Sequence, residues 1–306
     1  MLERAHFQNY RCLRDVTIDF GPLTVLVGPN GSGKSSVLRG LLPGSLSRPA
    51  DFWQHRQDLP TKVELHYPNS QAYRKVWDDG SIRETLPKPL GGHLLHLDLA
   101  ALRRPNTAQR ATILAENGSN LTNVFDTCSR TEQAELASQF GRLVPTFKDV
   151  DVEPLGGGQQ QLLFQDRWAS DVQYTASEVS DGTMLVLAYL VLQYQKSPVD
   201  LLLVEEPERG LHPYLLGTLV KFLRKMSRGE VGPKAIQLVL ATHSADLLDH
   251  LDPSEVRFLT RDPKDGSVRV DTVPGDTEAW QKTYRNYDES LGSIWKSGSL
   301  RGVPGG

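Results

Sequence analysis

Cysteine is scarce in this sequence of 306 residues, which contains only Cys12 and Cys128. The two do not form a C-x-x-C pair, so they provide neither a disulfide framework nor a cysteine-based zinc site. Long apolar runs are also missing, since the longest, Met184 to Leu192, is far shorter than the roughly 18 residues that a membrane-spanning helix needs. The N-terminus has no signal-peptide pattern. These absences predict a cytoplasmic protein with two inert thiols and no membrane span.

An excess of positive charge is absent as well. Lys and Arg total 34 against 37 Asp and Glu, which gives a net charge of −3. Charge therefore does not predict nucleic-acid binding, although a local basic patch would fit within this balance. Hydrophobic residues make up 39% of the chain, which is enough for a full core. The length indicates one large α/β domain or a domain with an inserted lobe.

What the sequence does contain is a phosphate-binding loop. The apolar run Leu23–Val27 is followed at 28–36 by Gly-Pro-Asn-Gly-Ser-Gly-Lys-Ser-Ser, which matches G-x-x-x-x-G-K-[ST] without a substitution. Its glycines let backbone N–H groups turn towards phosphate oxygens, and the helix that follows adds the positive end of its dipole. The alternative is a plain strand-to-helix turn with an exposed lysine. The residues that we predict to bind ATP are Asn30, Gly31, Ser32, Gly33, Lys34, Ser35 and Ser36, with Lys34 at the β- and γ-phosphates and Ser35 also on Mg²⁺.

Two further patterns place polar side chains after buried strands. The run Leu201–Val204 ends in Glu205 and Glu206, an arrangement that puts one carboxylate near Mg²⁺ and the next beside the attacking water. We predict that Glu205 binds the metal and that Glu206 is the catalytic base; the alternative is a solvated acid pair. His243 follows the next apolar strand, at the edge where α/β sheets bind ligands, and is predicted to lie near the γ-phosphate.

The polar run Ser180-Asp181-Gly182-Thr183 opens an apolar helix, where serine caps the helix and backbone N–H groups face outward. Taken with the earlier motifs, in this order, the chain resembles the ABC-type ATPases, and in particular the SMC/RecF-like branch that includes the OLD-family ATPases with an AAA-type core. The resemblance rests on the phosphate-binding loop, this signature, Leu-Leu-Leu-Val-Glu-Glu-Pro-Glu at 201–208 and Ala-Thr-His-Ser at 241–244. It extends to Phe7–Arg11 and Asn117–Leu121.

The resemblance implies an ATPase that works as a head-to-tail dimer, in which Ser180 and Gly182 of one subunit close over the γ-phosphate held by Lys34 of the other. It implies ATP and Mg²⁺ as cofactors, and DNA or a separately encoded effector such as a nuclease as partner, in repair or phage defence. An ATP-sensing scaffold and a nucleotide-binding transporter subunit are the alternatives. The chain departs from the family pattern because Glu205 replaces the common aspartate and the signature lacks its second glycine.

The order of elements predicts the fold class: an α/β P-loop NTPase of ABC type, with a mostly parallel central sheet, an antiparallel β side sheet and an inserted helical lobe. We expect a single domain over 1–306, with the lobe at about 106–147 and a flexible tail at 297–306. Alternating strands around Asp79-Gly80 predict an antiparallel meander in the side sheet. The segment that corresponds to the family's glutamine-bearing loop is placed at Leu94 to Pro105, where Arg103 and Arg104 are either functional or solvated.

Overall fold

The computed structural model describes residues 1–42, 51–69, 71–78, 81–85, 90–197, 199–273 and 277–299. The strands, in chain order, are β1 (Arg4–Tyr10), β2 (Leu13–Asp19), β3 (Leu23–Val27), β4 (Thr61–Tyr67), β5 (Gln71–Asp78), β6 (Ser81–Glu84), β7 (Gly92–Leu95), β8 (Asn106–Thr107), β9 (Phe147–Leu155), β10 (Gln159–Asp166), β11 (Gln173–Thr175), β12 (Leu201–Glu205), β13 (Gln237–Thr242), β14 (Val256–Arg261) and β15 (Val268–Thr272). The α-helices are α1 (Lys34–Gly40), α2 (Leu99–Leu102), α3 (Leu121–Thr127), α4 (Arg130–Leu143), α5 (Asp181–Val191), α6 (Pro213–Arg228), α7 (Ala245–Leu248), α8 (Glu278–Asn286) and α9 (Leu291–Lys296). Within these ranges, no helix is both long enough and apolar enough to cross a bilayer.

The central sheet has the strand order β15-β14-β3-β13-β12-β7. Its strands are parallel except β15, which pairs antiparallel with β14 at one edge. The interior strands are apolar without alternation because helices cover both faces of a parallel sheet; every residue of β3 is buried, as are Leu201 to Val204 of β12. Because β3, β13, β12 and β7 run in one direction, the residues that follow them meet at one edge. The mostly parallel central sheet predicted from the sequence is confirmed.

The side sheet is five-stranded and antiparallel, in the order β2-β1-β4-β5-β6. It packs over α1, and Val37, Leu38 and Leu41 share a core with the inward-facing residues of β1, β2 and β4. The approach is close: a Cβ added to Gly40 would lie 2.5 Å from a ring atom of Phe7. The predicted meander is present in β4, β5 and β6, and Asp79-Gly80 lies outside the described residues.

A third sheet is formed by strands that precede helix α3 and follow helix α4 in the sequence. It has the order β11-β10-β8, with β9 paired antiparallel to β10 across Gly156–Gly158. Helix α4 packs on β9, and the rings of Phe140, Phe147 and Phe164 form a cluster with centroid separations of 5.6 to 6.3 Å. The range predicted as a helical lobe, 106–147, contains α3 and α4 and also β8. The third sheet continues beyond that range, and the division of the chain into domains stays a prediction.

The elements that were not predicted from the sequence include the strands β7, β8 and β11 and the helices α2, α8 and α9. Helix α8 contains few apolar residues, and Trp280 is its one buried residue. Helix α9 packs against α7 so closely that a Cβ on Gly292 would lie 2.2 Å from the carbonyl oxygen of Ala245. The predicted tail begins at Ser297, and residues 300–306 lie outside the described part of the chain.

Glu64 on β4 is a buried carboxylate in the side sheet, with a side chain that is 7% exposed. Its Oε2 lies 2.6 Å from Nζ of Lys62, and Arg74 and His6 also contact the carboxylate. Burial alone would raise its pKa, but the hydrogen bonds from Lys62, Arg74 and His6 lower the pKa of Glu64 to about 2. Because the folded pKa lies below the ordinary value of 4.5, the carboxylate stabilises the fold above that pH, and the contribution is lost as the pH falls towards 2.

Replacing Glu64 by glutamine is therefore expected to lower the free energy of unfolding by about 1–2 kcal/mol at neutral pH, since solvent at Lys62 and Arg74 screens part of the interaction. Urea unfolding at several pH values measures the difference from the unmodified protein, which should shrink steadily between about pH 5 and about pH 3. Glu3→Gln, at an exposed glutamate just before β1, is the control. A Glu64→Gln penalty that is independent of pH would contradict this assignment.

Candidate functional site

The loop between β3 and α1 borders a cavity of about 430 Å³ at the carboxyl edge of the central sheet. Two positions of the loop require glycine because there is no room for a Cβ atom. A Cβ on Gly28 would lie 2.3 Å from the carbonyl oxygen of Leu259, and one on Gly33, whose φ is +106°, would lie 2.6 Å from a methyl of Val268. The residues that line the cavity are Cys12, Asn30, Gly31, Gly33, Lys34, Ser35, Ser36, His96, Glu205, Glu206, Ala241 and Arg261. Ser32 is 1% exposed and does not line the cavity.

Lys34 is the cation at the centre of the loop. Its side chain folds back so that Nζ donates to the carbonyl oxygens of Gly28 at 2.7 Å and Pro29 at 3.0 Å. Burial lowers the pKa of Lys34, whereas Glu206, Glu208 and Glu205 act in the opposite direction. Three carboxylates therefore lie near enough to act on the ammonium, and its direct hydrogen-bond partners among the described residues are neutral carbonyls. An anion that entered the cavity would offer Nζ a stronger partner than these carbonyls.

Glu205 ends β12 with its side chain 11% exposed. Its Oε2 lies 2.9 Å from Nδ1 of His96, at an angle that does not make a hydrogen bond, and its buried Oε1 has no hydrogen-bond partner among the described residues. A buried carboxylate oxygen without a hydrogen-bond donor, such as this Oε1, can bind a cation. The exposed Ser35 hydroxyl borders the same cavity. Mg²⁺ is typically held by one or two carboxylates with phosphate oxygens and water. The chemistry of Glu205 and Ser35 thus fits Mg²⁺, although across the described ranges no group of three or more His, Cys, Asp or Glu could hold a metal ion.

Glu206 and His243 form a pair at the ends of the adjacent strands β12 and β13. Oε1 of Glu206 lies 3.1 Å from Nδ1 of His243, and its backbone N–H donates to the carbonyl oxygen of Ala241 at 2.8 Å. Glu206 has a φ of +48°, a left-handed conformation that is uncommon for a residue other than glycine. Strain of this kind concentrates at functional sites, where it aims a side chain. Here the turn directs Glu206 into the cavity and towards His243.

A third carboxylate, Glu208, supports the same strand ends and received no role in the sequence analysis. Thr242 at the end of β13 donates to its Oε1 at 2.6 Å, and the buried Oε2 has no partner among the described residues. Burial raises the pKa of Glu208, although the Thr242 hydrogen bond opposes this. The hydroxyl of Tyr189 on α5 donates to the neighbouring Pro207 carbonyl at 3.1 Å. Glu208 and Tyr189 therefore hold the turn after Glu206 against both β13 and α5.

The residues 175–182, here called the signature loop, lead into α5. The exposed Ser180 caps the helix, because its Oγ accepts a hydrogen bond from the backbone N–H of Thr183 at 3.2 Å. Gly182 faces the turn after Glu206, where a Cβ on it would lie 3.5 Å from the carbonyl oxygen of Gly210. Neither Ser180 nor Gly182 lines the cavity of the phosphate-binding loop. His212 caps α6, because its Nδ1 accepts from the backbone N–H of Tyr214.

Three residues of the cavity wall were missed from the sequence. Cys12, predicted to be inert, has its thiol 3.3 Å from the hydroxyl of Ser36. Arg261 on β14 donates to the carbonyl oxygen of Gly31 at 2.8 Å. His96 follows β7, and the pattern His-Leu-Leu-His at 93–96 was a usable signal, since it is a short apolar run ending in a polar residue. Cys12 and Arg261 reach the site only through strand pairing, which no local pattern shows.

Two family models match the chain. Residues 168–249 match a family described as "AAA domain, putative AbiEii toxin, Type IV TA system", and residues 1–42 match an AAA ATPase domain. The second match includes the phosphate-binding loop, and the first includes the signature loop, both glutamates and His243. The OLD nuclease of Thermus scotoductus is 51% identical over 41 residues. That match covers 13% of this chain and 8% of the nuclease, so the chain corresponds to a small part of that protein's length.

Solved structures with a similar fold are SMC heads. The SmcHead bound to the C-winged helix domain of ScpA is 14% identical, with a TM-score of 0.61 over 90% of this chain and 98% of that one. The SMC head of Thermotoga maritima is 16% identical, with a TM-score of 0.55 over 89% and 99%. An Smc head with an extended coiled coil from Pyrococcus furiosus, bound to the C-terminal domain of ScpA, is 12% identical, with a TM-score of 0.56 over 94% and 98%. The chain therefore has the P-loop fold of SMC heads, and its segments 1–42 and 168–249 are similar to AAA-type ATPase domains.

Proposed function

We propose that this protein binds and hydrolyses ATP, and that ATP drives a head-to-tail dimer whose formation gates a partner. The observation that carries the proposal is the convergence of Lys34, Glu205 and Glu206 on one cavity, with His243 in contact with Glu206 at the end of the neighbouring strand. A cation at the phosphates, a buried acceptor and a pair of proton-handling groups are the parts that phosphoryl transfer to water requires.

Binding begins at the phosphate-binding loop. The N–H groups of the loop and the ammonium of Lys34 would hold the β- and γ-phosphates once Nζ leaves the carbonyls of Gly28 and Pro29. Ser35 and the free Oε1 of Glu205 would hold Mg²⁺, which neutralises charge on the phosphates when bound. His96, 2.9 Å from the other oxygen of Glu205, would orient that carboxylate. Arg261 fixes the outer side of the loop through Gly31.

Glu206 would then accept the proton of the attacking water. The carboxylate projects into the cavity from a strained turn, and its contact with His243 restricts it to one orientation. His243 is half-exposed, which leaves its second ring nitrogen free to contact a γ-phosphate oxygen. A base and a hydrogen-bond donor on adjacent strands would keep water and phosphate aligned.

The dimer follows from where the signature loop lies. Ser180 and Gly182 are outside the cavity that holds Lys34, and Gly182 packs against Gly210 of its own chain. A second subunit arranged head to tail would bring its own Ser180 and the amino end of its α5 over the γ-phosphate. The structural similarity to SMC heads supports this arrangement.

The partner class is proposed from the comparisons. One relative is an OLD nuclease, and two of the similar SMC heads are bound to a domain of ScpA. We propose that this chain, in the cytoplasm, acts on DNA or on a separately encoded effector such as a nuclease, in repair or in phage defence. The net charge of −3 gives DNA no advantage over a protein partner.

ATP binding is tested with Lys34→Ala. Losing the ammonium is expected to weaken ATP binding at least about tenfold in calorimetry, because one charge-assisted contact is removed. Chemical labelling of Cys12 provides a second measurement of ATP binding. Cys12 lines the cavity, whereas Cys128 is buried and burial raises its pKa to about 11. A maleimide should label Cys12 selectively, and ATP should slow the labelling in the unmodified protein but not in Lys34→Ala. Equal ATP affinity in both proteins, with labelling indifferent to ATP, would show that this cavity is not the nucleotide site.

A further inference from the structure

Arg103 lies inside the signature loop of its own chain. One guanidinium nitrogen donates to the carbonyl oxygen of Val179 at 2.8 Å and also to that of Ala176. The other terminal nitrogen contacts Oδ1 of Asp181 at 2.5 Å. The loop therefore curls around a single planar cation, which binds it on both sides of the point where α5 begins.

These contacts add to the loop's own polar contacts, which lie within two short turns. The Glu178 carboxylate accepts from the backbone N–H and the hydroxyl of Thr175, whose hydroxyl also pairs with that of Ser177. The Ser180 hydroxyl pairs with that of Thr183 and accepts from the Thr183 backbone N–H. Ala176 and Val179 are 4% and 7% exposed, so their backbone is placed against the protein while Ser180 between Val179 and α5 stays exposed. The planar guanidinium of arginine presents its N–H donors in a fixed fork that can satisfy three acceptors. A lysine ammonium is a compact point charge and cannot present donors in that geometry.

The base of Arg103 is itself rigid. Arg103 directly follows α2, which is capped by Asp98 through an Oδ1 that accepts from the N–H of Ala101 at 2.6 Å. Leu102 is 1% exposed, and a Cβ on Gly118 would lie 2.5 Å from its side chain. A short helix packed this tightly fixes the backbone from which the Arg103 side chain reaches the loop. The neighbouring Arg104 is exposed.

We propose that Arg103 is a positioning residue that holds the signature loop in the shape that the second subunit's nucleotide recognises. The inference rests on the proposed ATP-driven dimer and adds the residue that prepares its interface. Without Arg103, the loop would sample several shapes, and dimerisation would require ordering it first. Binding of ATP to the chain's own phosphate-binding loop would not change, because Arg103 does not line that cavity.

The test uses the full chain with Glu206→Gln, in which ATP hydrolysis is blocked. Arg103→Ala, Arg103→Lys and the matched control Arg104→Ala are compared by light scattering at increasing protein concentration with ATP and Mg²⁺. The dissociation constant of the dimer is expected to rise at least about tenfold in Arg103→Ala, less in Arg103→Lys, which keeps one charge contact, and less than about twofold in Arg104→Ala. Hydrogen exchange without nucleotide should accelerate at residues 176–181 in Arg103→Ala alone.

The ATP affinity measured by calorimetry shows whether each variant is folded and able to bind nucleotide. This affinity should match that of the Glu206→Gln parent. If Arg103→Ala loses it, Arg103→Lys replaces that variant in the comparison. Dimers of equal strength in the Arg103 and Arg104 variants would overturn the positioning role, and so would unchanged exchange at 176–181. If the parent itself stays monomeric with ATP, the dimer proposal fails instead, a result that the parent alone reveals.

Discussion

Replacing Glu206 by glutamine is expected to lower the rate of ATP hydrolysis by about 10²–10⁴-fold, the contribution that a general base makes. Glutamine preserves the shape of the side chain and its contact with His243, 3.1 Å from Oε1, but it cannot accept a proton. Glutamine can adopt the left-handed backbone conformation of position 206 as readily as glutamate, so the substitution should not move the backbone. A steady-state phosphate-release assay measures the rate, and calorimetry should show ATP affinity close to that of the unmodified protein.

Glu205→Gln is the matched control, because it makes the same chemical change one residue earlier. It removes charge from the carboxylate whose Oε1 lacks a partner, so it should weaken Mg²⁺-dependent ATP binding rather than the chemical step alone. Raising the Mg²⁺ concentration should restore part of the activity of Glu205→Gln and none of that of Glu206→Gln. If Glu206→Gln hydrolysed ATP at the unmodified rate, the roles of the two glutamates would be wrongly assigned.

The parts of the fold that could be predicted are those with a strong local pattern. The strands β3, β12 and β13 are largely apolar runs, and the parallel sheet brings the loop after β3 and the polar ends of β12 and β13 to one edge. The antiparallel pairs β4 to β6 and β14 to β15 alternate and are joined by turn residues. Burial on both faces of a strand produces a continuous apolar run, and burial on one face produces alternation. In these strands the sequence pattern therefore indicates the structure.

The rest depended on distant contacts. Strand β7 is four residues long, and its place beside β12 is set by pairing with a strand more than a hundred positions later, so His96 could not be connected with Glu205 beforehand. For Arg103 the sequence left a functional role and a solvated side chain equally open. Only the structure puts its guanidinium among the carbonyls of Ala176 and Val179. Such polar contacts leave no periodic trace in the sequence.

Adding Ser180→Arg to Glu206→Gln is expected to prevent the ATP-driven dimer that Glu206→Gln alone should form. Ser180 is exposed at the start of α5, where a second subunit's γ-phosphate would lie within reach of its hydroxyl. A bulky side chain in a packed contact costs about 1–3 kcal/mol. A head-to-tail dimer contains the contact twice, so the dissociation constant should rise at least about 30-fold. Light scattering with and without ATP measures the change.

Ser170→Arg, at an exposed serine in the turn between β10 and β11, is the control for added charge and bulk. It should leave the dimer intact, and ATP affinity should be unchanged in both arginine variants because neither serine lines the cavity around Lys34. Thermal unfolding is compared as well, since Ser180→Arg also removes the hydrogen bond that caps α5 and so costs about 1 kcal/mol. Persistent monomers of Glu206→Gln at high concentration with ATP would exclude the head-to-tail dimer. A dimer that is indifferent to Ser180→Arg would mean that the signature loop lies outside the interface.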